Sequence, residues 1–418
     1  MNPDRMGKAF RRRFDELAAI GRDPDTGGLN RLAWTDADAQ ARAWFHAEAA
    51  YLDLDVDVDR NGNCWAWWWP ERRAAPADMP DEVAVAVGSH LDTVPDGGAY
   101  DGALGVVAAL TAVDALQASG LRPGWPLAVV AWADEEGGRF GTPCFGSGLS
   151  AGGLAREAIL DRRDAAGVRL RDALSGAGID PAGIGPDPER LRVLAMFVEL
   201  HVEQGRGLVH LGRPVGVGTG IWPHGRWRFE LHGQTNHAGT TVLADRRDPM
   251  LAAAELVDAA RAEAQRHDAI ATVGRVTASP GATNAVPGFV QAWLDARAPD
   301  DNTLDRLVAA IEERTRHAAD ASAVRCDVVQ ESAAAGVLFD EALRARLEEC
   351  VAGHDDRPPR LATAAGHDAG ALAARMPTGM LYVRNPTGVS HSPAEHADDD
   401  DCVAGIAALT TVLRTLLA

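Results

Sequence analysis

Four apolar runs, each closing on a histidine or an acid, constrain this fold more than anything else in the chain. Val83-Ala-Val-Ala-Val87 leads to His90 and Asp92, and Leu127-Ala-Val-Val-Ala-Trp132 to Asp134, Glu135 and Glu136. The run around Val193 to Val198 leads to Glu199 and His201, and Gly379-Met-Leu-Tyr-Val383 to Ser390-His391-Ser392-Pro393-Ala394-Glu395. Short runs of this kind, bounded by turn residues, read as strands buried on both faces. Asp101 follows His90 by eleven residues, behind a Gly97-Gly98 turn, and an apolar helical run opens at Gly102. Strand-like and helix-like runs alternate over 83–210, which predicts an α/β fold with a mainly parallel sheet. Such sheets assemble their sites at the carboxyl ends of the strands. Imidazole and carboxylate groups brought there on Gly-rich backbone suit a divalent metal.

The remaining pattern divides the chain. Residues 6–21 and 35–53 read as amphipathic helices, the second capped by Thr35 or Asp36. Trp65-Ala-Trp67-Trp68-Trp69 alternates as a strand near its start, a packing surface rather than a binding patch. Residues 151–190 are rich in Gly, Asp and Arg and read as short helices and loops. From about residue 212 the character changes. Strand-like runs at 227–232, 271–276, 290–296 and 323–330 enclose helical runs at 249–265 and 302–318, the β-α-β-β-α-β order of a ferredoxin-like unit. The expected domains are therefore 1–211 together with 332–418, and an inserted 212–331.

Bulk properties exclude several partners. A net charge of −19 argues against nucleic acid and anionic membrane. No apolar run approaches a membrane span of roughly 20 residues. Lys8 is the single lysine, so Schiff-base and phosphate-loop chemistry have no lysine to use. Five cysteines without a C-x-x-C pair, and an N-terminal region without a secretory signal, predict reduced thiols in a cytoplasmic protein.

The four segments above, with His237-Ala-Gly-Thr-Thr241 and Thr283-Asn-Ala-Val-Pro-Gly288, resemble one family over nearly the whole chain, from Gly27 to about Asp401. It is the dinuclear-metal amidase and peptidase family, in its branch of N-carbamoyl-L-amino-acid hydrolases, β-ureidopropionases and allantoate amidohydrolases. The resemblance implies two divalent ions, Zn²⁺ or Mn²⁺ with Co²⁺ as a third choice. His90, Asp101 and His201 would hold one; Asp101, Glu136 and His391 would hold the other, with Asp101 shared. A shared carboxylate offsets the charge of two close cations. His201 stands where peptidase members carry a carboxylate.

Glu135 would be the general base and then the acid, since neighbours on extended backbone face opposite sides and Glu136 is spoken for. Asp92 would orient the His90 imidazole as its acceptor. Gln204, His237, Asn284 and Arg297 match the family's substrate contacts. His237 would stabilise the oxyanion, reaching it from the inserted lid across a homodimer, while Asn284 and Arg297 would clamp a substrate carboxylate. His367 matches a family motif and reads as shaping the site. His46, His210, His224, His232, His267, His317, His354 and His396 have no supporting pattern.

Three departures bear on substrate: Val242-Leu243, Ala364, and Arg384 close before His391. Arg384 has two readings, a substrate contact or a partner for Asp398 to Asp401. The expected activity is hydrolysis of the ureido bond of a small carboxylate-bearing substrate. The rivals are an aminoacylase or dipeptidase and a non-catalytic binding protein on the same fold.

Overall fold

Two large sheets and a two-stranded ladder organise the described residues, and each large sheet is built where the apolar periodicity puts it. A computed structural model describes residues 3–70, 79–81, 83–352 and 357–418; His354 lies outside the described residues. The first unit comprises residues 1–219, 338–361 and 366–418, the second 220–337 and 362–365.

In chain order the first unit contributes β1 (Asp55–Val58), β2 (Cys64–Trp68), β3 (Ala84–His90), β4 (Leu127–Trp132), β5 (Leu194–Val202) and β6 (Val215–Ile221). The second contributes β7 (His224–His232), β8 (Asn236–His237), β9 (Ile270–Ser279), β10 (Ala285–Val286), β11 (Phe289–Arg297) and β12 (Arg325–Ala334). After it come β13 (Val337–Leu338), β14 (Arg360–Thr363) and β15 (Thr378–Val383). The large sheet runs β1-β2-β4-β3-β5-β15-β6-β13, with β14 on β6. Its centre, β4-β3-β5-β15, is parallel, and antiparallel pairs flank it. The fold class is the α/β class that the alternating runs require. Every residue of β3, β4 and β15 is buried, as strands covered on both faces must be.

The sheet is covered by helices Pro3–Ala19, Ala103–Ala118 and Asp399–Leu416. Helix Ala103–Ala118 buries twelve of its sixteen residues, which explains why its sequence shows no polar face. Asp36–Tyr51 is capped by Thr35, whose side chain accepts from Asp38 N, satisfying one of the unpaired N–H groups of the first turn. Trp65 and Trp67 are fully buried and stack at 5.9 Å, with Trp132 edge-on to Trp65 at 5.3 Å. The tryptophan run is thus a packing surface.

The second unit's sheet is ordered β12-β7-β11-β9 with every neighbour antiparallel. This is the ferredoxin-like arrangement, with helices Pro249–Arg266 and Asp301–Ala321 packed on one face through Leu256, Ala260, Leu307 and Ile311. Asp248 and Asp300 cap these helices, and Pro249 sits in the first turn where its missing N–H costs nothing. The first unit reaches Thr219 rather than residue 211, because β6 pairs with β15 and so belongs to the large sheet. The chain returns at Leu338 rather than at 332, because β12 extends to Ala334.

Candidate metal centre

The ends of β3, β5 and β15 and the loop after β4 bring five expected ligands together. His90 is the last residue of β3, buried, with Nε2 3.5 Å from Asp101 Oδ1. His201, near the end of β5, has Nε2 3.1 Å from the same oxygen. The other oxygen of Asp101 lies 3.5 Å from His391 Nε2, and His391 Nε2 lies 3.4 Å from Glu136 Oε2. Two groups result, His90–Asp101–His201 and Asp101–Glu136–His391, each with ligand atoms within 4.8 Å of one another. Asp101 belongs to both.

The donor set fits divalent ions. His90 Nε2 is buried and makes no hydrogen bond among the described residues, although carboxylates surround it. His201 Nδ1 lies 2.8 Å from the Val202 carbonyl, which places the proton there and leaves Nε2 as a lone-pair donor. Gly102, with φ of 65°, precedes the helix; a Cβ there would fall 2.3 Å from the His90 ring. Only glycine lets Asp101 and His90 approach.

Glu135 Oε2 stands 3.7 Å from His90 Nε2, so the adjacent carboxylates enter the site beside different histidines. Asp134, at φ 51°, turns the backbone that presents them. The expected role of Asp92 changes in detail. Its main-chain carbonyl, 3.1 Å from His90 Nδ1, takes the imidazole contact, and its carboxylate is 3.6 Å away. The carboxylate instead accepts the N–H groups of Glu135 and Glu136 at 3.1 and 3.0 Å. An acceptor facing two successive amides is better satisfied there than by one ring N–H.

Electrostatics follow from burial and crowding. Burial pushes the Glu135 carboxyl well above the usual carboxylate range, against the pull of His90. Burial and the Asp101 charge raise Glu136 to about 7. Hydrogen bonding to Asp101 raises His391 to about 9. Burial opposes the charge of Asp101, but His201, His391 and His90 hold it well below the usual range. Negative potential concentrated this way is relieved by bound cations.

Gln204 is placed against a ligand: its Nε2 donates to Asp101 Oδ2 at 2.8 Å, while its Oε1 is buried with no partner among the described residues. His367 is buried with its ring 4.5 Å from that of His201. Arg384 resolves to one of its two readings, a two-pronged pair with Asp401 at 2.7 and 2.9 Å.

His237, Asn284 and Arg297 belong to the second unit. His237 pairs with Ala285 in the β8–β10 ladder, and Ala238 N donates to the Asn284 carbonyl at 3.0 Å, so these two residues are neighbours. His237 Nδ1 accepts the N–H groups of Gly239 and Thr240 at 3.0 and 3.1 Å, which leaves its proton on Nε2 as an outward donor. Arg297 ends β11, braced by Asp295 at 2.9 Å and the Ala364 carbonyl at 2.5 Å.

Glu199, named in the sequence only as an acid that closes its strand, has a supporting role in the structure. It lies two positions before His201, on the same side of β5, and bridges Ser89 Oγ at 2.7 Å and Ala369 N at 2.9 Å. The period-2 alternation of β5 was the available signal.

Comparison with known proteins places the chain in a family. The family model described as peptidase family M20/M25/M40 matches residues 86–415. The chain is 36% identical over 401 residues to an N-carbamoyl-L-amino acid amidohydrolase of Geobacillus stearothermophilus, covering 96% of each. It is 33% identical over 402 residues to an allantoate amidohydrolase of Bacillus subtilis (strain 168), covering 96% of this chain and 95% of that one. A crystal structure of a hydantoinase/carbamoylase family amidase from Burkholderia multivorans superposes with a TM-score of 0.87 at 32% identity, covering 98% of each chain.

Proposed function

The chain belongs to peptidase family M20/M25/M40 and is an amidohydrolase, and from that premise we propose that it hydrolyses the ureido C–N bond of a small carboxylate-bearing substrate. The substrate is an N-carbamoyl-L-amino acid or allantoate. The observation that carries the reading is the pair of ligand groups sharing Asp101, with Glu135 beside His90.

His90, Asp101 and His201 would hold one divalent ion and Asp101, Glu136 and His391 the other, Zn²⁺ and Mn²⁺ being the first choices for this donor set. Bound there, the ions would supply Lewis acidity toward the substrate carbonyl and toward water. Glu135, whose basicity burial raises, takes the proton from the attacking water as the new C–O bond forms. It returns that proton to the leaving nitrogen as the C–N bond breaks. The carbamate released decomposes to ammonia and carbon dioxide. Asp92 keeps both glutamates in place through their backbone.

Gln204 favours a ureido group over an ordinary amide. Its amide nitrogen is committed to Asp101, so the orphaned Oε1 is an acceptor suited to a ureido N–H. The Nε2–H of His237 is a donor suited to the developing oxyanion. Arg297 presents a guanidinium, its fork matched to a carboxylate.

A homodimer with shared sites is supported by the second unit's own geometry. His237 and Asn284 lie past the Phe289 end of β11, and Arg297 is at its other end. Eight residue steps of strand span roughly 26 Å, too far for both groups of one chain to hold one small molecule. Exposed Val242, Leu243, Leu251 and Val257 in this unit offer apolar surface to a second copy. The five free cysteines accord with a reducing, cytoplasmic setting. Among the described residues no helix is long and apolar enough to cross a membrane.

The test is a panel of allantoate, N-carbamoyl-L-amino acids, 3-ureidopropionate and dipeptides, assayed with Zn²⁺ and with Mn²⁺. Ammonia release from a ureido substrate that stops on chelation is expected. Cleavage of the dipeptides alone would overturn the reading.

A further inference from the structure

We infer that Glu395 is a positioning residue that holds the shared ligand Asp101 and the His391 loop in one frame. Glu395 is four residues past His391 and 5% exposed. Its Oε2 accepts the main-chain N–H groups of Tyr100 and Asp101 at 2.9 and 3.0 Å. Its Oε1 lies 3.2 Å from Ser390 Oγ, and that hydroxyl lies 3.1 Å from Asp101 Oδ2. One carboxylate therefore grips Asp101 through its backbone and stands against Ser390, the residue preceding His391, whose single hydroxyl proton lies within reach of both Glu395 Oε1 and Asp101 Oδ2.

Nothing local aligns these ligands. Tyr100 and Glu395 are 295 residues apart in sequence, and Asp101 and His391 stand on separate loops. Both amides that Glu395 takes precede helix Ala103–Ala118, where no helical carbonyl would serve them. The fit is close, since a Cβ on Gly98 would fall 2.2 Å from Glu395 Oε2. The glycine turn ahead of Asp101 is shaped by the carboxylate passing behind it. His391 itself has φ of 55°, a conformation that a residue with a side chain keeps only where its surroundings impose it. The Ser390–Glu395 contact is such an imposition, one residue upstream.

The inference rests on the reading of the site as a metal centre and adds to it the residue that sets the spacing of the two halves. The test separates arm length from charge. Glu395→Gln keeps the reach and an acceptor oxygen for the two amides but loses the charge. Glu395→Asp keeps the charge but is too short to hold both amides. Binding of Mn²⁺ and of Zn²⁺ to full-length protein is measured by calorimetry and by metal analysis, with thermal unfolding of each metal-free variant alongside. Supporting partners of metal ligands are worth about 10- to 100-fold in affinity. The Asp variant should lose that much, and the more weakly held ion should drop out of the purified protein. The Gln variant should stay close to wild type. Any other ordering overturns the inference, including wild-type affinity in both variants with only the unfolding temperature lowered. A wild type that binds no divalent ion overturns the metal centre itself, and this inference with it.

Discussion

Glu135 and Glu136 are adjacent and chemically alike, yet their surroundings separate them. Glu136 faces His391 at 3.4 Å, and Glu135 lies 3.7 Å from His90 with its carboxyl raised by burial. Glu135→Gln should lower turnover by about 10²- to 10⁴-fold while metal content stays near wild type; a turnover assay beside metal analysis checks both. Arg297 gives a second test at this scale. A charge-assisted contact to a substrate carboxylate is worth roughly 1.5–3 kcal/mol, so Arg297→Ala should lower kcat/KM by about 10- to 150-fold. Arg297→Lys should recover part of the loss, since lysine lacks the fork. A substrate amidated at its carboxylate should be poor for wild type and lose little more in Arg297→Ala. Equal losses on acid and amide substrates would make Arg297 structural. Arg384 shows the limit of reading residues singly, because the sequence left substrate and the Asp398 to Asp401 run as alternatives and only the structure shows that Asp401 claims it.

Elements contribute through how they are tied together. Helix Pro3–Ala19 is fastened to Asp36–Tyr51 by Glu48, which accepts from Arg12 at 2.7 Å and from fully buried Arg13 at 2.7 Å. Arg13 also reaches Asp114 of helix Ala103–Ala118 at 3.0 Å. Burial works to raise the Glu48 carboxyl, but the hydrogen bonds from Arg12 and Arg13 outweigh it and hold the carboxyl below the ordinary value. A depressed carboxylate contributes stability that is present above the unfolded value, near 4.5, and is lost as pH falls through the lower folded value. Glu48→Gln should therefore destabilise the protein near neutral pH by about 3 kcal/mol, because it leaves a buried guanidinium short of a partner. Wild type and variant should converge in strong acid. Denaturant melts at several pH values measure this, and a constant gap across the acid range would refute it. The strand pattern was readable at this scale because period-2 alternation and continuous apolar runs report which faces are buried. The boundary strand β6 escaped that reading. Glycines at alternate positions thin its apolar pattern, and only pairing with β15 says which sheet it joins.

At the scale of the whole molecule, the second unit carries the groups proposed to meet substrate beyond one end of β11, at His237 and Asn284, and at its other end, at Arg297. If His237 serves the site of a partner chain, two inactive variants should complement each other. Glu135→Gln and His237→Ala proteins, each inactive alone, should regain part of the activity when subunits exchange, because one hybrid site carries both intact residues. Mass spectrometry can verify exchange independently. Absence of recovery after verified exchange would assign His237 to its own chain's site or outside catalysis.

The sequence alone determined the class of fold and the chemical types at the site. Buried runs ending in His90, Glu135, His201 and His391 demand a covered parallel sheet, and the inserted β-α-β-β-α-β order demands a second unit. Those patterns are local, set by side-chain hydrophobicity and backbone period, so a linear reading recovers them. Which atom of each residue faces which partner was decided by tertiary structure. Asp92 gives its carboxylate to two amides and its carbonyl to His90. Gln204 turns its nitrogen to Asp101, and Glu395 reaches back across nearly three hundred residues to the amides before the helix. The physical reason is that a hydrogen bond is directional and is chosen in competition. A buried polar group goes to whatever partner best satisfies it, and the contenders are gathered only when strands distant in sequence close into one sheet.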